Sequence, residues 1–466
     1  MLDEYLNYYL LRGNDLYLAP ICLLILYFFV FLIRRKYRKT EIQRYILPAI
    51  TLRFVFVILY VLVLQFYYGF GDSYNYYQGV LDMHKAVSDD ISYLSDIYTK
   101  LALENTDRLY SYFRYDANGF TYYYMMEPRT YFVAKLGLPF SLIFNKSFLC
   151  ISFCISFLSF LGSWMFFKMF YEMYPHLHRK IAIASLFLPS LLFWGVSLLK
   201  DPFCIAAMGY FIYAAYSLFI KKKRVFMSII QILIAGFFLI NLKPYILFSL
   251  VAVFSLWIFY RFRENIADRT LRNVSTIIFT ILAVLAGFFA TQGLGQAGNS
   301  QFAADQLLTT VNRQQAIFSN NHGEAEGALS NFTVGSGPTS SIGSLIALFP
   351  VGIVNTYFRP FLWDVRSPMM ILSAFESFCF LSITLMCFWK IGFLKTFQSI
   401  FSDPVIAFCF VFAAVFGGII GVTTTNFGAL VRYKIPCISF YAMAFILVMD
   451  KSKKFSSKYI FSKKLF

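Results

Sequence analysis

Charged residues are scarce in this chain, and their scarcity limits what kind of protein it is. Only 14% of the 466 residues are charged, whereas 59% are hydrophobic and 20% are aromatic. Soluble globular domains carry about 25% charged residues, which keep their surfaces hydrated. The composition therefore excludes a soluble globular protein and predicts an integral membrane protein.

The motifs of several common protein classes are also missing. The sequence contains no P-loop, dinucleotide-binding fingerprint, GxSxG elbow or HExxH pair, so nothing favours ATP-driven transport, serine hydrolysis or a motif-held metal. The formal charge of +17 comes from short Lys and Arg clusters between apolar runs. Such clusters are typical of cytoplasmic loops, and we expect no nucleic acid among the partners.

The eight cysteines lie in or beside apolar runs, and no CxxC pair occurs. A disulfide framework or a thiolate metal site is therefore not expected, and the cysteines are predicted to pack as small hydrophobic residues.

The first apolar run follows an acidic start and ends in basic residues, without a small-residue cleavage site. We expect it to remain as a span and not to act as a cleaved signal peptide.

Apolar runs long enough to cross about 30 Å of hydrocarbon recur along the chain. They predict an all-α, polytopic transmembrane helical bundle of about eleven spans. The basic clusters lie at 34–44, 221–224 and 261–272 and in the C-terminal tail. All of them face the cytoplasm if the N terminus is outside and the C terminus inside. The predicted spans lie near 17–34, 46–67, 146–170, 181–199, 202–220, 225–241, 245–261, 272–291, 369–390, 401–421 and 433–449.

The apolar stretch 341–358 would reverse this alternation if it crossed the membrane. We therefore predict that it is a re-entrant or interfacial segment on the outer face, where it would line a protein cavity. The predicted organisation is two spans in 1–67, an extracytoplasmic loop with surface helices in 68–145, a six-span core in 146–291, a second extracytoplasmic loop plus the re-entrant segment in 292–368, three spans in 369–449 and a basic cytoplasmic tail in 450–466.

With this topology, the polar residues that are costly near a membrane collect on the outer side. Ionisable residues in or beside spans often mark a substrate path. Arg and Lys bind phosphate, and a carboxylate can accept a proton, so the set suits a polyprenyl phosphate or diphosphate carrying a sugar. The catalytic candidates are Asp72, immediately beyond a span, and Glu376, about two turns into one; the phosphate-binding candidates are Lys200, Lys243, Arg359, Arg366 and Arg432; and the supporting residues are Asp201, Asn241, Asp364 and Asn426.

Simpler interpretations remain open for several of these residues. Asp72 could cap a loop helix, and Lys200 and Asp201 could form a salt bridge within one turn. Arg359 and Arg366 could extend to lipid headgroups. A divalent cation held by carboxylates stays open as a cofactor, although no motif accompanies it.

An aspartate beyond an early span, opening a long outer loop and followed by many spans, resembles the type-C glycosyltransferases that use polyprenyl-phosphate sugars. In that family the first-loop aspartate is a base or metal ligand, and Asp72 in GDSYNYY matches it. The chain also looks like the O-antigen and exopolysaccharide polymerases and ligases of bacteria, for which Arg359, Arg366 and Arg432 would match the cavity arginines. Unlike many type-C enzymes, this chain lacks paired acids, since the next is Asp82, and Asp72 follows the second span.

The resemblance implies a multi-pass protein of the bacterial inner membrane that serves cell-envelope polysaccharide biosynthesis. Its expected activity is transfer of sugar from a polyprenyl-(di)phosphate donor to an acceptor on the extracytoplasmic face, with membrane lipid and the lipid-linked sugar as partners. A polymerase or ligase is the nearest alternative. A transporter of lipid-linked glycans or a non-catalytic assembly subunit would use the same cavity without covalent chemistry.

Overall fold

The computed structural model describes residues 9–113, 121–263, 266–275, 277–278, 281–282, 311–313, 315, 332 and 342–462. These residues form helices and turns, and no strand occurs among them. Nine of the described helices are long and apolar enough to cross a membrane. The predicted all-α, multi-pass membrane class is thus confirmed, whereas the full number of spans and their sidedness stay predictions.

The chain divides into two compact units, residues 1–178 with 191–243 and residues 179–190 with 244–466. The helices up to residue 194 are α1 (Asp15–Lys36), α2 (Gln43–Val63), α3 (Asp72–Asp89), α4 (Tyr93–Thr99), α5 (Thr121–Met126), α6 (Pro128–Ile143), α7 (Phe148–Met173), α8 (His178–Leu186) and α9 (Pro189–Trp194). They are followed by α10 (Lys200–Ala215), α11 (Val225–Leu242), α12 (Pro244–Phe262), α13 (Ile342–Phe358), α14 (Pro368–Ile391), α15 (Phe393–Phe401), α16 (Pro404–Thr423), α17 (Phe427–Tyr433) and α18 (Ile435–Ser462).

Helix α7 is the centre of the first unit, and it packs against α1, α2 and α10. Its contact with α10 is closest at Gly162 and Gly209. A Cβ atom on Gly209 would lie 1.9 Å from the carbonyl oxygen of Gly162, and one on Gly162 would lie 2.4 Å from Cα of Ala206. Small residues allow the two backbones to touch, as in many membrane helix pairs.

We expect Gly209→Ala to destabilise the protein by about 3 kcal/mol, since the added methyl group overlaps backbone atoms that cannot rotate away. Thermal unfolding in detergent would measure this as a lower midpoint. Gly236→Ala in α11 is the matched control, because no atom lies within 4 Å of its added Cβ. There, alanine should stabilise the helix by about 1 kcal/mol through its higher helix propensity. Equal midpoints for the two variants would contradict the close packing of α7 and α10.

Helix α16 holds the corresponding central place in the second unit, where it packs against α12, α13 and α18. Gly421 of α16 faces Gly352 of α13, and a Cβ atom on Gly421 would lie 1.9 Å from the Gly352 carbonyl oxygen. Thr356 donates a hydrogen bond of 2.6 Å to the carbonyl of Gly417 in the same contact. Each unit therefore contains one largely buried apolar helix that makes glycine contacts.

The predicted span at 181–199 is not one helix. It consists of α8 and α9, which are about 14 Å and 9 Å long at 1.5 Å per residue, followed by non-helical residues 195–199. Pro189 cannot donate a backbone hydrogen bond and disfavours a helical conformation at Leu188. Ser197 has a left-handed φ of 71°, and 196–199 are almost fully buried. Hydropathy detected the apolar run but not these breaks.

The buried guanidinium of Arg53 holds this non-helical stretch within the first unit. It donates hydrogen bonds to the Gly195 carbonyl at 3.3 Å, to Ser159 Oγ at 3.0 Å and to Ser163 Oγ at 2.7 Å. Because a buried carbonyl without a partner costs free energy, Arg53 offsets part of the cost of interrupting a helix among apolar side chains. The stretch ends at Leu199, and α10 begins with Lys200 and Asp201.

Other sequence predictions fall wholly or partly outside the described residues. The predicted span 272–291 is described only at 272–275, 277–278 and 281–282, and the loop 292–340 only at 311–313, 315 and 332. The stretch 341–358 contains the 17-residue apolar helix α13. Its re-entrant or interfacial position in a membrane stays a prediction.

Candidate functional site

Asp72 is held at the start of α3 by a glycine-dependent turn. Helix α2 continues through a π-helical turn at Leu64–Tyr68, and the chain then passes through Gly69 with φ 68° and Gly71 with φ 137°. Only glycine adopts these conformations without strain. Asp72 then occupies the first turn of α3, half-buried, where the helix dipole favours a negative charge.

Lys200 lies among the acidic and aromatic side chains of the same unit. Its Nζ is 3.2 Å from Oε2 of Glu127 and 3.4 Å from Oγ1 of Thr130, and it lies 5.8 Å from the ring centre of Tyr76. Tyr76 lies one turn beyond Asp72, so Lys200 contacts the first turns of the helix that Asp72 opens. The joint site predicted for Asp72 and Lys200 stays a prediction.

Asp201 and Lys243 form a buried ion pair beside Lys200. Lys243 Nζ is 2.5 Å from Asp201 Oδ1, and the two side chains are 6% and 1% exposed respectively. Asp201 is in the first turn of α10 and Lys243 follows the last residue of α11, so each charge complements the dipole of its own helix. Asp201 therefore pairs with Lys243, whereas Lys200 pairs with Glu127.

We call Asp72, Glu127, Lys200, Asp201 and Lys243 the first-unit ionic cluster. Asn241, predicted to support the site, donates its amide to the Phe237 carbonyl of its own helix at 2.8 Å. Tyr124 adjoins the cluster, and its pKa is raised by burial and by the charge of Asp72. The cluster combines a partly accessible carboxylate with a cation, which suits proton acceptance beside a developing negative charge.

Glu127 is the residue of this cluster that the sequence interpretation missed. It directly precedes Pro128, which opens α6 at its first position. Proline at the first helical position is a recognised start signal, so an acidic residue beside it could have been identified as the start of a helix. Glu127 and Lys200 are 73 residues apart along the chain, so no local sequence pattern predicts their contact.

Arg359 and Asp364 form a bidentate pair in the second unit. Nε and one terminal nitrogen of Arg359 lie 3.0 Å and 3.3 Å from the two carboxylate oxygens of Asp364. The guanidinium also lies 4.9 Å from the ring centres of both Phe332 and Phe427, which stack on each other. Binding a phosphate through Arg359 would compete with this pair.

Glu376 is buried in the second unit, and its carboxylate is held on two sides. It accepts hydrogen bonds from the backbone N–H of Ser190 at 2.8 Å and from its hydroxyl at 2.7 Å, and Lys434 Nζ lies 3.9 Å away. Ser190 and Lys434 were not identified from the sequence, although a lysine between apolar runs is a signal worth following. These contacts favour a structural role for Glu376, with Lys434 as its countercharge.

The remaining predicted residues, Arg366, Arg432 and Asn426, also lie in the second unit. Arg366 is exposed, and Arg432 is half-buried in the last turn of α17. Asn426 caps α17 by accepting a hydrogen bond from the Ala429 N–H at 3.1 Å. The phosphate-binding role of Arg366 and Arg432 and the supporting role of Asn426 stay predictions.

Within the described ranges, no group of three or more His, Cys, Asp or Glu side chains is arranged to hold a metal ion.

Comparison of the chain with protein-family models, with curated proteins and with solved structures gives no match. We base the functional proposal on the first-unit ionic cluster, because it joins accessible and buried charges from α3, α6, α10 and the end of α11.

Proposed function

We propose that this protein is a membrane glycosyltransferase that transfers a sugar from a polyprenyl-(di)phosphate donor to a hydroxyl acceptor on the extracytoplasmic face. The observation that carries the proposal is the position of Lys200 at the start of α10, 3.2 Å from Glu127 and 5.8 Å from the ring centre of Tyr76, which lies one turn beyond Asp72 in α3. A polymerase or ligase of cell-envelope polysaccharide would use the same bond exchange and is the nearest alternative.

The reaction needs a base and a group that stabilises the leaving phosphate. The acceptor oxygen attacks the anomeric carbon, its proton passes to Asp72, and the bond between that carbon and the phosphate oxygen breaks with its electron pair on the phosphate. Lys200 stabilises the charge that develops there. No further oxidant or reductant is required.

The ion pairs of the cluster divide it into a fixed part and an adjustable part. The pair of Asp201 and Lys243 is buried, whereas Glu127 is 47% exposed where it meets Lys200. An exposed ion pair is held by only about 1 kcal/mol, so an anionic substrate can displace Glu127 and take Lys200 as its partner. The buried pair then keeps α10 and α11 in register while the substrate is bound.

The test is transfer of a labelled sugar from a synthetic polyprenyl-phosphate donor by the purified protein in lipid nanodiscs. We expect Lys200→Gln to lower kcat/KM at least about tenfold, because a charge-assisted contact with phosphate is lost. Lys222→Gln is the matched control, since it removes the same charge from an exposed turn before α11. Wild-type protein that turns over no polyprenyl-phosphate or diphosphate sugar would overturn the proposal.

Transport of a lipid-linked glycan is the second candidate, and the non-helical stretch 195–199 before α10 in the first unit favours it. Binding sites of transporters are commonly formed by discontinuous helices whose exposed backbone groups line a cavity. The same nanodisc preparation distinguishes the two functions. Movement of the labelled lipid across the bilayer without loss of its sugar would favour transport, whereas release of the polyprenyl phosphate would favour transfer.

A further inference from the structure

A cavity of about 430 Å³ opens in the first unit at the ends of its apolar helices. It is lined by the end of α1, by α7, by α10 with its π-helical continuation and by the start of α11. None of its lining residues belongs to the first-unit ionic cluster. Its size is in the range typical of small-molecule sites.

Three cations line this cavity: Lys36, Lys168 and Arg224. Lys168 Nζ lies 4.5 Å from the ring centre of Tyr213 and 3.8 Å from Glu172. The carboxylate of Glu172 is shared, because it also binds Lys221 at 2.7 Å and accepts a hydrogen bond from Tyr213 at 3.2 Å. The cations around the cavity outnumber the acids, which favours an anionic ligand.

The start of α11 adds backbone donors to this positive cavity. Arg224 has a left-handed φ of 54° and precedes the helix, which has no side-chain cap. Met227 and Ser228, in its first turn, line the cavity. The N–H of Ser228 already donates to the Arg224 carbonyl at 2.9 Å, so the donors in question are those of the residues before it. The first N–H groups of a helix have no partner within it, and together with the helix dipole they form an anion-binding site.

The other wall of the cavity is apolar. Ile33 of α1, Leu161 and Met165 of α7 and Met227 of α11 line it, and Met227 is 59% exposed. A soluble anion has no apolar part that could pack against Ile33, Leu161 and Met165. An amphiphile would bury them and place its charged group near the cations.

We infer that this cavity binds the phosphate group of an anionic phospholipid, with its acyl chains along the apolar wall of α1 and α7. The phosphate is held by Lys168, Arg224 and the uncapped start of α11. The site is a lipid-binding site separate from the proposed transfer reaction, and it lies at the basic ends of the spans, where the charge pattern predicts the cytoplasmic face.

The experiment is native mass spectrometry of the full chain released from detergent containing phosphatidylglycerol, phosphatidylcholine or, in a lipid-free arm, glycerol phosphate. We expect a retained phosphatidylglycerol adduct and at least tenfold less phosphatidylcholine adduct. The double variant Lys168→Gln/Arg224→Gln should reduce the phosphatidylglycerol adduct about tenfold. Lys223→Gln, which removes a neighbouring exposed cation that does not line the cavity, should leave the adduct unchanged.

Three results would overturn the inference. If the wild type and the double variant bound phosphatidylglycerol equally, Lys168 and Arg224 would not be part of the binding site. If Lys223→Gln lost as much phosphatidylglycerol binding as the double variant, general surface charge and not the cavity would attract the lipid. Saturable binding of glycerol phosphate without any lipid adduct would assign the cavity to a soluble phosphate ester instead. Unchanged circular dichroism of the double variant shows that any lost adduct does not reflect unfolding.

Discussion

Asp72→Asn is expected to lower the rate of sugar transfer by about 10²- to 10⁴-fold, the range that a positioned general base contributes. Asparagine keeps the shape of the side chain and can still sit in the first turn of α3, but it cannot accept the hydroxyl proton. Binding of the donor should change little, because phosphate recognition is assigned to Lys200. The measurement is kcat and KM for a polyprenyl-phosphate sugar in nanodiscs.

The matched control is Asp89→Asn at the other end of α3, about 25 Å away along the helix at 1.5 Å per residue. It removes the same charge from the same helix and should keep the wild-type rate. Full activity in Asp72→Asn with an unchanged unfolding midpoint would remove Asp72 from the role of base. Glycosyl transfer by this protein would then need another proton acceptor.

Asp201→Asn is expected to destabilise the protein by about 3 to 5 kcal/mol, because it leaves the Lys243 ammonium buried without its countercharge. The pair joins the first turn of α10 to the end of α11. Its loss should therefore loosen the contact between these helices as well as lower the unfolding midpoint. Thermal unfolding in detergent or nanodiscs measures the change directly.

Two comparison variants make this prediction specific. Asp201→Asn combined with Lys243→Met removes both charges and should recover most of the lost stability, since no unpaired charge remains. Glu127→Gln opens the more exposed ion pair with Lys200 and should cost no more than about 1 kcal/mol. Similar losses in Asp201→Asn and Glu127→Gln would contradict the distinction between a buried and an adjustable pair.

The candidate site could be predicted in part because ionisable residues are rare in apolar sequence. Asp72, Lys200, Asp201 and Lys243 were selected for that reason. All four lie in the first unit, where Asp201 pairs with Lys243. Their pairing could not be predicted, since Lys243 is 42 residues from Asp201 along the chain. Such distances leave no periodic signal in the sequence.

The second unit illustrates the opposite case. Arg359 and Glu376 have the residue types expected for phosphate binding and catalysis, yet Arg359 is engaged by Asp364 and Glu376 by Ser190 and Lys434. A cation and a carboxylate at the edge of a span have the same sequence signature whether they bind each other or a substrate. Only the partner geometry separates the two roles.

The sequence by itself determined the helical membrane class and the approximate position of the long apolar helices, because lipid requires about 20 apolar residues per span and internal backbone hydrogen bonds. Only the tertiary structure decided where a helix breaks, which charges pair and which glycines allow backbones to touch. The break at 195–199 depends on Arg53, far away in the chain, and the contact of α7 with α10 depends on Gly162 meeting Gly209. These features arise from contacts between distant residues, whereas hydropathy is a property of each segment alone.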